Sequence, residues 1–287
     1  MQSFKYIEPT SLCEAARLLK EYGSSAVILA GGTDLINQME KGKYSPAVVI
    51  QIRKIAELSA NMEFRADGIV IGALTTLSEI ADDKRVLSRF PALAEAAGKI
   101  GSKQIRNRAT IVGNVCNASP AADSVPALLV YDAVVNIVTD DNKKRSVPLS
   151  SFIAGPGKAL LDNTEIVESI FVPNPPESSS STYLKLSRRD GVDLATVGVA
   201  AYVDKSHTVK LAFGAVGPRA FRANKAETLL KEAALDSRDM EFGIQQAISE
   251  ASPITDLRGS SEYRLAMIET LARRAIRTAF DRIGMKG

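Results

Sequence analysis

Two glycine-bearing stretches hold the residues of this chain best suited to grip a polar ligand. The first, Ala30-Gly31-Gly32-Thr33-Asp34-Leu35, directly follows the apolar run Ala26 to Leu29, the pattern of a strand feeding a turn. Paired glycines allow positive φ, so successive backbone N–H groups can point into one concavity and bind a pyrophosphate without lysine or arginine. Thr33 adds a hydroxyl donor. A Gly-Gly pair alone is usually only a turn. The second stretch, from Gln104 to Asp132, reads QIRNRATIVGNVCNASPAADSVPALLVYD, a ligand-facing loop between regular elements before a helical pattern resumes. Within it Thr110, Gly113 and Asn114 offer a hydroxyl, a backbone without a Cβ and an amide. Ser119 and Asp123 add a hydroxyl and a carboxylate. Such a loop can also satisfy its own backbone through asparagine and serine side chains; the company of the first loop favours a ligand.

Other chemistries lack their residues. Gly155-Pro156-Gly157-Lys158 imitates a phosphate loop, but GxxxxGK[ST] is broken by Phe152 and Ala159, and no GxGxxG occurs. Two cysteines, Cys13 and Cys116, and one histidine, His207, cannot build a structural zinc site or an iron–sulfur cluster, so any metal belongs elsewhere. His207 stands in a polar turn, Asp204 to Thr208, and reads as a solvated turn residue. The net charge of +3 gives no basic face for nucleic acid. The cysteine usage and the absence of a secretory start point to a reducing, cytoplasmic setting, and no apolar run reaches membrane-spanning length.

The elements that position these loops follow from periodicity and caps. Ser11-Leu12-Cys13-Glu14 has the capping-box form, with Leu12, Ala15, Ala16 and Leu19 at helical spacing and an end near Tyr22-Gly23. Strands are predicted at Ala26 to Leu29, Ala47 to Ile52 and Ile69 to Ala73. A second capping box, Thr76 to Glu79, comes next, then a helix over Phe90 to Ala97 and strands over Ala133 to Val138 and Glu165 to Val172. Asn174-Pro175-Pro176-Glu177 and the serines Ser178 to Ser181 mark a flexible boundary. Beyond it strand-like runs cover Thr182 to Leu186, Thr196 to Val203 and Val209 to Val216. Helices are predicted over Ala223 to Lys231, Met240 to Ala251 and Tyr263 to Ile283. In the last of these Leu265, Ile268, Leu271, Ala275, Ala279 and Ile283 form one apolar face, and Arg273, Arg274, Arg277 and Arg282 are distributed over the rest, which reads as a solvated face with partner binding as the alternative.

Taken in order, these motifs resemble the FAD-binding medium subunit of the molybdenum hydroxylases, the group of xanthine, carbon monoxide and nicotinate dehydrogenases. The resemblance spans nearly the full length. It rests on AGGTDL at 30 to 35, IGALTTL at 71 to 77, QIRNRATIVGN at 104 to 114, NASPAADSVPAL at 117 to 128, GPG at 155 to 157, YLKLSRR at 183 to 189 and DLA at 193 to 195. It implies an α+β fold: a vanillyl-alcohol-oxidase/PCMH-like FAD-binding module of two α/β subdomains, then a C-terminal domain with a small antiparallel sheet and helices. The matching boundaries are residues 1–176, with subdomains of about 1–56 and 57–176, and residues 182–287.

By the same resemblance, Ala30 to Leu35 and Thr110 to Asn114 would hold the FAD pyrophosphate and neighbouring hydroxyls, and Ser119 and Asp123 further polar atoms of the cofactor. Leu161 and Lys185 match positions near the flavin, and Leu194 the residue covering its ring. A cation at Lys185 would favour the reduced, anionic flavin and raise its potential; the alternative is a solvated strand lysine. Two departures stand out. Val112 replaces the first glycine of the TIGGN common among relatives, which either loosens one backbone approach or turns the valine to the core. Leu194 replaces the tyrosine of some relatives, which leaves apolar cover without stacking.

The implied role is electron outlet. A large subunit would hold the molybdopterin cofactor and a small subunit two [2Fe-2S] clusters, and electrons would cross the FAD of this chain to NAD⁺ or another acceptor within a hetero-oligomer. No nucleophile or base from this chain is needed, and no such set is visible. Two other readings stay open: a self-contained FAD oxidoreductase, and a flavin-free assembly or scaffold protein of the same fold.

Overall fold

A computed structural model describes residues 2–139, 143–189, 191–231, 233 and 237–284; the outermost predicted domain limits, residues 1 and 287, lie outside these. The chain begins with a parallel three-stranded sheet. Its strands β1 (Lys5–Ile7), β2 (Ala26–Leu29) and β3 (Val48–Gln51) lie in the order β1-β3-β2, so the central β3 is buried along its length. Parallel pairing needs crossovers, and the helices Leu12–Tyr22 and Leu35–Glu40 supply them. Ser11 caps the first of these by accepting from the Glu14 N–H at 3.2 Å, while the Glu14 carboxylate reaches back to the N–H of Thr10 and not of Ser11. The Gly31-Gly32 loop leaves the carboxyl end of β2. That edge of a parallel sheet is where ligands generally bind.

The second sheet is antiparallel. It contains β4 (Met62–Phe64), β5 (Gly68–Gly72), β6 (Val134–Val138) and β7 (Lys144–Pro148). After a ribbon of β8 (Ile153–Gly155) and β9 (Lys158–Ala159), β10 (Ile166–Pro173) completes the order β4-β5-β10-β6-β7. Helices Leu77–Asp82 and Pro91–Gly98 pack against each other, the first opened by the reciprocal capping box of Thr76 and Glu79. The stretch from 104 to 132, expected as a loop and then a helix, ends in the helix Ser124–Leu129, but its loop part holds two more short helices, Lys103–Arg106 and Ile111–Cys116. Helices of one or two turns are too short to print a 3.6-residue period.

The third sheet, β11 (Ser179–Leu186), β12 (Val197–Asp204), β13 (Val209–Gly214) and β14 (Phe221–Arg222), is a meander in sequential order. Helices Asn224–Leu230, Arg238–Glu250 and Ser261–Arg282 follow it. Alternation along β12 divides its burial between two cores. Val197, Val199, Ala201 and Val203 face these helices, while Ala200 and Tyr202 join the large core of the first two sheets. The serine run is therefore not a flexible connection. Ser179 to Ser181 pair with β12, and the fully buried Ser181 accepts from the Ala92 N–H at 3.1 Å and shares a hydrogen bond with the Tyr131 hydroxyl.

Two further expectations change. Arg282 leaves the solvated face to donate to the Ser181 carbonyl and the Glu95 carboxylate, both at 2.6 Å. His207 takes φ +55° in its turn, but its ring packs toward Phe280 with centroids 6.1 Å apart, so it is half-buried. Val112 turns to the core, at 6% exposure.

Candidate functional site

A cleft of about 840 Å³ opens between the first sheet, the short helices after Lys103 and the end of β11. That volume lies in the upper part of the range of roughly 300–1,000 Å³ usual for cofactor pockets. All fourteen residues singled out in the sequence line it: Ala30, Gly31, Gly32, Thr33, Asp34, Leu35, Thr110, Gly113, Asn114, Ser119, Asp123, Leu161, Lys185 and Leu194.

The two glycine loops touch. A Cβ on Gly31 would overlap the carbonyl oxygen of Arg108 and lie 2.9 Å from the Ala109 Cα, so only glycine lets the first loop rest on the second. Gly32 adopts φ +77°, a conformation that L side chains rarely take. Among the described residues none accepts a hydrogen bond from the N–H groups of Gly32, Thr33 or Asp34. Those donors are free for a ligand, as a backbone anion nest requires. Arg53, which the sequence reading passed over, ties the loops together: Nε donates to the Ala30 carbonyl at 3.0 Å and Nη2 to the Arg108 carbonyl at 3.1 Å. Its planar fork suits this bridge.

The second loop spends part of its polarity on itself. Thr110, buried, caps the helix Ile111–Cys116 by accepting from the Gly113 N–H at 3.0 Å, which leaves its hydroxyl hydrogen and one lone pair for other partners. The Asn114 carbonyl oxygen accepts from Ser124 at 2.6 Å, an amide orientation assigned by this bond, so its NH₂ is the group left for the cleft. Ser119 accepts from the Ala121 N–H at 3.3 Å.

Lys185 is neither a solvated strand lysine nor a free cation. Its Nζ lies 2.8 Å from Asp123 Oδ2 and 3.1 Å from the Lys99 carbonyl oxygen, with 4% of the side chain exposed against 6% for Asp123. The other Asp123 oxygen accepts from the Tyr183 hydroxyl at 2.5 Å. Burial pushes the Asp123 carboxyl above the usual carboxylate range, opposed by the Lys185 charge and by the hydrogen bonds from Lys185 and Tyr183. Burial, together with Asp123, holds the Tyr183 phenol protonated well above its ordinary range. The period of two along β11 places Tyr183 and Lys185 on one face, a signal from which Tyr183 could have been found.

Leu194 stands at the mouth of the cleft, 57% exposed, and three arginines hold the residues on either side of it, Asp193, Ala195 and Thr196. Arg188 forks onto Asp193 at 2.9 and 3.1 Å and holds that carboxyl down at about 2, while Asp193 accepts from the Leu194 N–H at 2.9 Å. Arg258 donates to the Ala195 carbonyl at 3.4 Å. Arg264, 1% exposed inside the long last helix, donates to the carbonyls of Thr196 and Ala215 at 2.9 and 2.7 Å and to Asp256 at 2.6 Å. No local pattern separates Arg264 from the solvated arginines of the same helix.

The glycine cradle, the unpaired N–H donors and the apolar walls suit a dinucleotide with a flat ring. Among the described residues no group of three or more histidine, cysteine or acidic side chains could hold a metal ion, and no helix is long and apolar enough to cross a membrane.

Comparison with known proteins agrees along the whole chain. Residues 2–175 match the family model for the FAD binding domain in molybdopterin dehydrogenase, and residues 182–279 that for the CO dehydrogenase flavoprotein C-terminal domain. The chain is 34% identical over 283 residues to the carbon monoxide dehydrogenase medium chain of Hydrogenophaga pseudoflava, covering 97% of this chain and 98% of that one. It is 33% identical over 286 residues to the xanthine dehydrogenase FAD-binding subunit of Escherichia coli O157:H7, covering 98% and 97%. In structure it superposes on a chain of the Hydrogenophaga pseudoflava carbon monoxide dehydrogenase with a TM-score of 0.93 at 33% identity, covering 98% of each chain. A chain of quinoline 2-oxidoreductase from Pseudomonas putida 86 gives a TM-score of 0.91 at 25% identity, covering 99% of each.

Proposed function

Because the chain belongs to the FAD-binding medium subunits of the molybdenum hydroxylases, we propose that it is the electron outlet of such a complex, with FAD seated in the 840 Å³ cleft. The observation that carries this reading is the contact of the two glycine loops on a cleft lined by all the expected positions, three of which have N–H groups without an acceptor among the described residues. Residues 1–176 form the FAD-binding domain and residues 182–287 the C-terminal domain.

Gly32, Thr33 and Asp34 bind the pyrophosphate through their N–H groups, and Arg53 stands behind the loop as its brace. The Asn114 amide and the hydroxyl hydrogens of Thr110 and Ser119 hold neighbouring hydroxyls. Leu161, Lys185 and Leu194 surround the flavin. When bound, FAD supplies a carrier able to exchange electrons singly or in pairs. The work of this chain is to orient that carrier, keep water from its inner face and set the charge around it.

The electrons come from [2Fe-2S] clusters in a small partner subunit, fed by a molybdopterin-bearing large subunit, and leave to NAD⁺ or another acceptor. The complex works in the cytoplasm, in keeping with two free cysteines. A self-contained oxidoreductase would need a base poised over the cleft. The only histidine packs toward Phe280, and of the five acids lining the cleft Asp123 and Asp193 are held by Lys185 and Arg188 and Glu165 is gripped by Arg145 at 2.6 Å, which leaves Asp34, on the glycine loop, and Asp162 as the acids to test by substitution for that rival reading.

The test is the visible absorption of the purified chain before and after denaturation. Flavin bands, released as FAD near one per chain, together with recovery of two partner subunits from the native complex, are expected. A folded chain that neither carries nor takes up FAD overturns the reading.

A further inference from the structure

We propose that Asp123 is a positioning residue that sets the redox potential of the bound flavin by holding Lys185 as half of a buried ion pair instead of leaving it a free cation. The proposal rests on the FAD reading above. Lys185 and Asp123 both line the cleft, are both almost wholly buried, and meet at 2.8 Å. Both carboxylate oxygens are engaged by protein donors, the Lys185 ammonium on Oδ2 and the Tyr183 hydroxyl on Oδ1. The surroundings are built for this arrangement. Gly198, paired with Lys185 across the neighbouring strand β12, leaves room for the Tyr183 hydroxyl, which would sit 2.5 Å from any Cβ there.

A lone ammonium beside a flavin stabilises the reduced, anionic ring, and in a poorly screened interior it does so strongly. A carboxylate in contact with that ammonium opposes its field at every point of the ring. Removing the negative charge therefore raises the potential wherever the ring lies in the cleft. Removing the Tyr183 hydroxyl does the reverse. Its hydrogen partly offsets the carboxylate charge, and without it the anion is felt more fully.

The experiment is a spectroelectrochemical titration of the FAD-loaded protein, in its complex where partners copurify, with FAD per chain measured first. Asp123→Asn is expected to raise the flavin midpoint potential and Tyr183→Phe to lower it. Opposite signs are the signature, because simple loosening of the cleft would move both variants the same way. Two FAD-loaded variants at the wild-type potential, or shifted in the same direction, overturn the proposal while leaving the FAD reading intact. If Asp123→Asn does not fold or hold FAD, Tyr183→Phe decides alone: a lowered potential supports the proposal and an unchanged or raised one overturns it. Wild-type protein that binds no FAD overturns both readings.

Discussion

Gly31 lies against the carbonyl of Arg108 with no room for a methyl group between them, so two segments nearly eighty residues apart meet backbone to backbone. Forcing a side chain into such a contact costs about 1–3 kcal/mol. Gly31→Ala should therefore weaken FAD binding roughly five- to hundred-fold by separating the loops. Fluorescence quenching on titration of FAD into the apo protein measures this. An affinity within twofold of wild type would show that the contact can relax without harm.

Arg53 makes the same junction through its fork. Arg53→Met strips a charged donor from two carbonyls, each bond worth about 1.5–3 kcal/mol when desolvated and less at this half-buried site. Faster FAD dissociation, by roughly tenfold, is expected. Arg53→Lys should recover only part of it, since an ammonium cannot span both carbonyls in plane. Stopped-flow release of FAD separates the variants, and equal rates in Lys and Met variants would refute the role of the fork.

Arg264→Met leaves the carbonyls of Thr196 and Ala215 and one oxygen of Asp256 without their buried donor. Breaking such a set costs about 3–5 kcal/mol, which at roughly 2–4 °C per kcal/mol lowers Tm by about 6–20 °C. Calorimetry checks this. A loss under 2 °C would mean that water or a neighbouring side chain replaces the guanidinium.

Two carboxyls at the cleft should respond to pH in opposite senses. Arg188 depresses Asp193 to about 2, so its stabilising contribution is present above the unfolded value near 3.9 and is lost as pH falls through about 2. Burial raises Asp123. Its contribution is fully present below the unfolded value and is lost as pH rises through its folded pKa. Carboxyl carbon NMR should place the two midpoints on opposite sides of 3.9. Finding Asp193 above that value would remove Arg188 as the anchor of the Leu194 segment.

What could be read in advance follows the range of the interactions. Caps at Ser11 and Thr76 and the turn at Gly31-Gly32 are local chemistry, and they form where their residues stand. The strand-like run Thr196 to Val203 forms β12. Strand β7, with three polar residues and a proline on a sheet edge, carries no apolar pattern, and β4 is three residues long. Ser178 to Ser181 has the composition of a linker, yet tertiary partners such as Tyr131 draw Ser181 into a core. Within the site, the residues whose roles come from contacts distant in sequence stayed hidden. Arg53 reaches 55 positions to Arg108, Arg264 reaches 68 to Thr196, and the Lys185 that looked like a lone charge meets its counter-ion 62 positions away.

The cleft borrows one wall from the last sheet of the chain. Lys185 and Leu194 leave the ribosome only after both earlier sheets have been made, and β11 needs β12 to hold its place. A chain still under synthesis thus presents the glycine cradle without the side that closes it. The cleft is therefore complete only once β12 has been made, and because Ala200 and Tyr202 of that strand also belong to the large core, a truncation before β12 would take away part of the core together with the wall of the cleft.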